Sequence, residues 1–299
     1  MDTREAQAQA TIGRPGCFDT GLSIGFVKSQ DRSRLRCGAA AKSVLSQTLH
    51  QVVVAIFVSL GFLTAASANT DDIEGCANAS DLKGALAACT KIIESNWAND
   101  HQVALAFNNR ANANDALGYS DTAINGYSRA PAIDPHYGNA LYNRGSTYLE
   151  VGKLDLAIAD LNAVLKIDAR RAEVYNNRGI AFLRLGDTAT AIADFMASLE
   201  INPSPASAHN NLGLARRETG DNAQAITDFS RAIKLMPNYA AALNHRGETL
   251  MIEHRYAEAV RDLSDALAID PEYAAAARNL AIANRLLSVD GDPPTIQAH

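Results

Sequence analysis

Sliding the sequence along itself by 34 residues lays Asn143-Arg144-Gly145 on Asn177-Arg178-Gly179, then on Asn211-Leu212-Gly213 and His245-Arg246-Gly247. Asn109-Arg110-Ala111 falls on the same grid, which marks five units: 104–137, 138–171, 172–205, 206–239 and 240–273. A unit this short cannot bury an apolar face alone. It must stack on copies of itself, which confines the chain to a repeat architecture.

The residues within the unit say what is stacked. An alanine-rich chain with only 6% aromatic residues favours closely packed helices over sheets, so the fold class expected is all-α. The eighth position is always small: Ala111, Gly145, Gly179, Gly213 and Gly247. So is the twentieth: Ala123, Ala157, Ala191, Ala225 and Ala259. Small residues on facing helices let the backbones approach, and the volume left over is assigned to larger groups on the same helical face. These are Tyr127, Leu161, Phe195, Phe229 and Leu263 at the twenty-fourth position and Ile133, Ile167, Ile201, Leu235 and Ile269 at the thirtieth. Gly118, Gly152, Gly186 and Gly220 end the first helix as left-handed caps, with His254 in the fifth such slot. Pro135, Pro203, Pro237 and Pro271 close the second helix, Ala169 being the exception. In the first unit Pro131 and Gly126 are expected to soften that second helix.

A 34-residue unit with an aromatic or apolar residue fourth, Gly or Ala eighth, Ala twentieth, an aromatic or leucine twenty-fourth and proline thirty-second resembles the tetratricopeptide repeat over residues 104–273. The resemblance implies a right-handed superhelical solenoid of antiparallel helix pairs whose first helices line a concave groove for peptides or partner proteins. It places the groove at positions 2, 5, 6, 9, 12 and 13 of the first helix. Here positions 5 and 6 read Asn108-Asn109, Tyr142-Asn143, Asn176-Asn177, Asn210-Asn211 and Asn244-His245. Asparagine is a poor helix former, and its amide suits the backbone of an extended peptide. The same amides could equally bond across neighbouring helices. Leu149, Leu183, Arg184 and Arg217 complete the candidate groove set, and at groove positions the acidic Asp115, Glu150, Glu173, Glu218 and Glu248 outnumber those two arginines. The lysines and arginine with which some family members grip a terminal carboxylate are absent, so that activity is not carried over.

The ends of the chain predict export. Residues 1–51 form an unstructured basic leader, and 52–68 form an apolar run from Val52 to Thr64 followed by Ala66-Ser67-Ala68. A basic flank, a short apolar run and a small-x-small site make a signal peptide cleaved after Ala68, with retention as a membrane anchor the alternative. Cleavage removes seven of 27 basic and four of 33 acidic residues and leaves a net charge of −9, which disfavours nucleic acid and anionic membrane surfaces as partners. It also leaves two cysteines, Cys76 and Cys89, for which a disulfide is expected in an oxidising compartment; two unpaired small apolar residues are the alternative. That bridge would tether an N-terminal capping helix within 69–103, running from Ser80 to about Ser95. A C-terminal capping helix is expected over 274–288 and a disordered tail over 289–299.

Arg144 with Asp160, Arg178 with Asp194 and Arg246 with Asp262 recur sixteen apart and read as ion pairs within a hairpin. The set is incomplete, because Arg110 faces Gly126 and Leu212 precedes Asp228. No glycine-rich phosphate loop, H-E-x-x-H, G-x-S-x-G or C-x-x-C is present, and His101, His136, His209, His245, His254 and His299 lack ligand spacing. The expected protein is therefore a non-enzymatic scaffold, needing no metal ion or cofactor, that binds an extended peptide or protein in its groove. The alternative is a structural component assembling through its convex face.

Overall fold

The computed structural model describes residues 69–290, so the leader 1–51, the signal segment 52–68 and most of the tail lie outside the described residues. Those residues form two compact units, 69–140 and 141–290, each taken by itself below. Among them every regular element is helical.

The first unit opens with α1 (69–76) and α2 (Leu82–Glu94), followed by the hairpin α3 (Asp100–Ala116) and α4 (Ser120–Ile133). A disulfide joins Cys76 to Cys89 with the Cα atoms 4.6 Å apart, which pins α1 to α2 over a small apolar cluster with Ile92 and Ala106. The segment before α2 is thus itself helical. Its sequence is polar and lacks a clear start signal, so the capping helix is expected only from Ser80. Helix α2 starts one residue later than Ser80 suggests, because the Ser80 hydroxyl donates to Asn78 Oδ1 while Asp81 takes the cap and accepts a hydrogen bond from the Gly84 amide at 2.9 Å.

The second unit runs α5 (Gly138–Glu150), α6 (Leu154–Ile167), α7 (Ala172–Leu185), α8 (Thr188–Ile201), α9 (Ala206–Glu218), α10 (Asn222–Leu235), α11 (Ala240–Ile252), α12 (Tyr256–Ile269) and α13 (Ala274–Asp290). From α6 onward each helix packs on its neighbours in the chain, and α7, α9, α11 and α13 also touch in turn, the arrangement of an all-α solenoid built of antiparallel pairs. Gly152, Gly186, Gly220 and His254 all have positive φ at the turn between paired helices. His254 holds φ at 57° without being glycine, and its Nδ1 lies 2.6 Å from the Tyr256 hydroxyl.

The closest helix crossings use the eighth and twenty-fourth positions. Phe195, Phe229, Leu161 and Leu263 are fully buried, and a Cβ added at Gly179 or Gly213 would lie 2.7 Å from the ring of Phe195 or Phe229. The thirtieth position departs from expectation. Ile167, Leu235 and Ile269 are the last residues of their helices and are 38–44% exposed. The core instead takes the twenty-seventh position, Val164, Ser198, Ala232 and Ala266. Ser198 hides this periodicity from the sequence; its hydroxyl donates to the Ala172 carbonyl at 2.7 Å.

Second helices end in a turn that depends less on proline than expected. Asp134, Asp168, Asn202 and Asp270 each accept a hydrogen bond from the backbone amide two residues on. That side-chain turn reverses the chain without a proline, which accounts for Ala169. Helix α4 continues through Pro131 to Ile133.

Candidate functional site

A first helix turns 100° per residue, so positions 5, 6, 9, 12 and 13 share one face and positions 4, 7 and 11 the opposite one. On the first face most of the asparagines are buried, and polar side chains at positions 5 and 6 bond across successive repeats. Asn177 Nδ2 donates to the Tyr142 hydroxyl at 3.3 Å and to Ser146 Oγ at 3.1 Å. Asn211 Nδ2 donates to Asn176 Oδ1 at 3.1 Å, His245 Nδ1 to Asn210 Oδ1 at 2.9 Å, and Asn279 Nδ2 to Asn244 Oδ1 at 2.9 Å. Apart from the bond to Ser146, each runs from the sixth position of one repeat to the fifth of the repeat before. Buried amides that found no partner would each cost about 1–3 kcal/mol, so this ladder fixes the register of the first helices. Asn210 Nδ2 is buried and finds no acceptor among the described residues.

In the other unit Asn108 and Asn109 are also buried, with Asn108 Nδ2 donating to Asn109 Oδ1 at 3.2 Å. Asn143 is 8% exposed, and Asn176 and Tyr142 are half-buried. The face is therefore backed by amides but surfaced by other side chains. Leu149 and Ile180 are buried, Leu183, Leu214 and Met251 are half-buried, and Ile252 is exposed.

Charges on this face are largely matched. Arg217 Nη1 donates to Glu248 Oε2 at 2.5 Å, and Glu248 Oε1 accepts from Asn244 at 3.0 Å and from Asn279 at 2.7 Å. Burial alone pushes the Glu248 carboxyl up, but Arg217 and the donated hydrogen bonds bring it below its ordinary value. The neighbouring His245 is fully buried, and desolvation reinforced by Arg217 lowers its pKa to about 4, so the ring is neutral. Arg184 Nη1 donates to the Leu149 carbonyl at 2.7 Å, satisfying a helix-end oxygen of α5. With both arginines engaged, the exposed charges on α5, α7 and α9 are Glu150, Glu218 and Glu173, the last paired with Arg171 at 2.8 Å, while α13 adds the exposed Arg278 and Arg285.

The opposite face carries the recurrent ion pairs. Arg144, Arg178 and Arg246 each grip the aspartate of their own second helix through Nε and Nη2 at 2.7–2.8 Å. A third nitrogen reaches the preceding second helix: Arg178 Nη1 to Asn162 Oδ1, and Arg246 Nη1 to Ser230 Oγ at 2.9 Å. Where position 7 is Leu212, Arg216 one turn on donates to Asp228 at 2.6 Å, a substitution the sixteen-residue spacing does not reveal. In the first unit Arg110 donates instead to Thr90 Oγ1 at 3.1 Å.

Residues 123–284 match the family described as the ETO1 C-terminal domain. No curated protein matches the chain in sequence. Among solved structures, MamA is 26% identical over 55% of this chain and 96% of its own, with a TM-score of 0.50. YrrB, described as a TPR protein with an unusual peptide-binding site, is 21% identical over 64% of this chain and 96% of its own, with a TM-score of 0.52. PilF of Pseudomonas aeruginosa is 21% identical over 64% of this chain and 86% of its own, with a TM-score of 0.57. At these identities YrrB and PilF speak for the fold alone.

Proposed function

The chain belongs to the family of the ETO1 C-terminal domain and has the fold of tetratricopeptide-repeat proteins, and from that premise we propose that it is a non-enzymatic scaffold holding an extended peptide against its first helices. The observation that carries the reading is the division of labour on one face: the amide ladder fixes the helices, while the half-buried Leu183, Leu214 and Met251 and the exposed Ile252 lie on the same face. Apolar side chains available beside rigid, hydrogen-bonded helices offer pockets at little ordering cost.

The asparagines then act chiefly by positioning that surface. The ligand is partly apolar and not strongly acidic, because Glu150 and Glu218 flank the row while Arg184 and Arg217 are engaged within it. The apolar segment from Val52 to Thr64 and the Cys76–Cys89 bridge support an exported protein cleaved after Ala68. Partners are proteins, and an acidic mature chain has no use for nucleic acid or an anionic membrane.

The test compares partners captured from an envelope extract by the wild-type chain and by Leu214→Glu/Met251→Glu, with circular dichroism confirming the fold of both. Loss of a specific partner in the double variant is the expected result. Full retention, with loss instead in Met196→Asp on the other face, would move the function to the convex side.

A further inference from the structure

The face opposite the amide ladder contains one site in two versions. Around α10, α11 and α12 the cleft between consecutive repeats is about 290 Å³, and Arg246 runs through it to Asp262 and Ser230. One repeat earlier, among α8, α9 and α10, the corresponding cleft is about 640 Å³. Two replacements account for the difference in character. Leu212 stands where the arginine belongs, and Met196 stands at the position of Ser230, the polar group that arginine would have reached. The guanidinium and its far partner have gone together, leaving an apolar wall of Met196, Leu199 and Leu212.

The acceptor for that guanidinium has not gone. Asp228 still lies in the cleft, 7% exposed, and receives one hydrogen bond from Arg216 where Asp262 receives two from Arg246. Burial pushes its carboxyl above the ordinary value, with Arg216 pulling the other way, so its compensation is incomplete. A second acceptor is beside it. His209 Nε2 lies 3.1 Å from the Pro203 carbonyl, which can only accept, so in the neutral ring Nδ1 carries a lone pair; that atom is buried and has no partner. Glu200 adds a further negative charge to the lining.

We infer that the cleft among α8, α9 and α10 is a second binding site, which takes an arginine side chain flanked by apolar residues from a partner polypeptide. The incoming guanidinium supplies in trans what Arg246 supplies in cis one repeat on. Its planar fork offers donors to Asp228 and His209 Nδ1 together, and Met196 and Leu199 cover its stem and neighbours. An acidic partner segment is excluded by the same groups.

The full chain labelled with [13C]methyl-methionine tests this directly, because Met196 lines the cleft whereas Met251 lies on the ladder face. Acetyl-Leu-Arg-Leu-amide is expected to shift the Met196 methyl resonance with an apparent affinity at least tenfold higher than acetyl-Leu-Gln-Leu-amide. Leu212→Arg, which installs the missing guanidinium, should abolish the response. Asp228→Asn, nearly isosteric, should also abolish it and keeps the test decisive if Leu212→Arg does not fold. A Met196 signal unmoved by the arginine peptide, moved equally by both peptides or still moving in Asp228→Asn overturns the inference. Movement of Met251 alone would mean that the peptide occupies the ladder face and not the cleft.

Discussion

Hairpins α3–α4 and α7–α8 both cross against the eighth position but put the missing side chain on opposite helices. In α7–α8 the first helix supplies Gly179, and Phe195 of α8 lies on it. In α3–α4 the first helix supplies Ala111, and it is Gly126 of α4 that yields, since a Cβ there would meet the Ala111 Cβ at 2.9 Å. The aspartate that answers the arginine elsewhere is thereby lost from α4, and Arg110 turns to Thr90 instead. The buried aromatic of α4 is Tyr127, whose hydroxyl donates to Asn112 at 2.8 Å. A close crossing needs one glycine or alanine per contact, not one at a fixed place, and moving it changes which polar pair the hairpin can make. Gly126, which read as a weakness in α4, is what allows the helices to approach.

The largest expected separation of the two hairpins comes from their aromatics. Phe195→Ala empties a fully buried ring site and should cost about 3–5 kcal/mol, whereas Tyr127→Phe loses one buried hydrogen bond and should cost about 1–2 kcal/mol. Urea midpoints read both, and comparable losses would show that the rings are held alike. Next comes the bridge that only the first unit has. Cys76→Ser/Cys89→Ser should destabilise α1 and α2 by roughly 3 kcal/mol while amide exchange in α8 to α12 stays unchanged. Smaller again are Gly179→Ala and Gly126→Ala, each forcing a contact under 3.0 Å and expected to cost about 1–3 kcal/mol in thermal unfolding. If either is neutral, the crossing is not limited by the absent Cβ.

The smallest effect separates ladder members and depends on pH. Unfolded His245 takes up a proton near pH 6.5, about its ordinary pKa, but folded His245 resists it down to about 4. Between those values the unfolded chain binds more protons, so stability falls as the pH is lowered, by roughly 1 kcal/mol at pH 5.5, and the term vanishes above neutrality. His245→Asn keeps a donor for Asn210 Oδ1, as Asn211 does for Asn176, and should remove that slope. An unchanged stability profile from pH 7 to 5 in both proteins would rule out a buried neutral ring.

Much of this was legible in the 34-residue period. The small eighth and twentieth positions, the aromatic twenty-fourth, the left-handed break that includes His254 and the arginine–aspartate pairs follow from residue type and spacing, and the cysteine bridge from an even cysteine count in a chain read as exported. Other features were hidden by chemistry that a hydropathy pattern misreads. Ser198 sits in a core slot because its hydroxyl is satisfied, and asparagines that look like surface donors join a ladder in which Asn177, Asn211 and Asn279 each find a partner 35 residues away. A signal for the ladder did exist: donor-bearing residues recur at position 6 directly after acceptor-bearing ones at position 5. It becomes readable only when the two are paired across repeats.

The ladder also has a last rung. Asn279 of α13 reaches back to Asn244, but the residue at the fifth position of α13 is Arg278. Guanidinium has donors and no acceptor, so a further helix bearing asparagine in the sixth position would find nothing there to receive its amide. In a polymer this would be a terminator unit. Asn279 lets α13 complete the array it joins, and Arg278 beside it withholds the template for extending it.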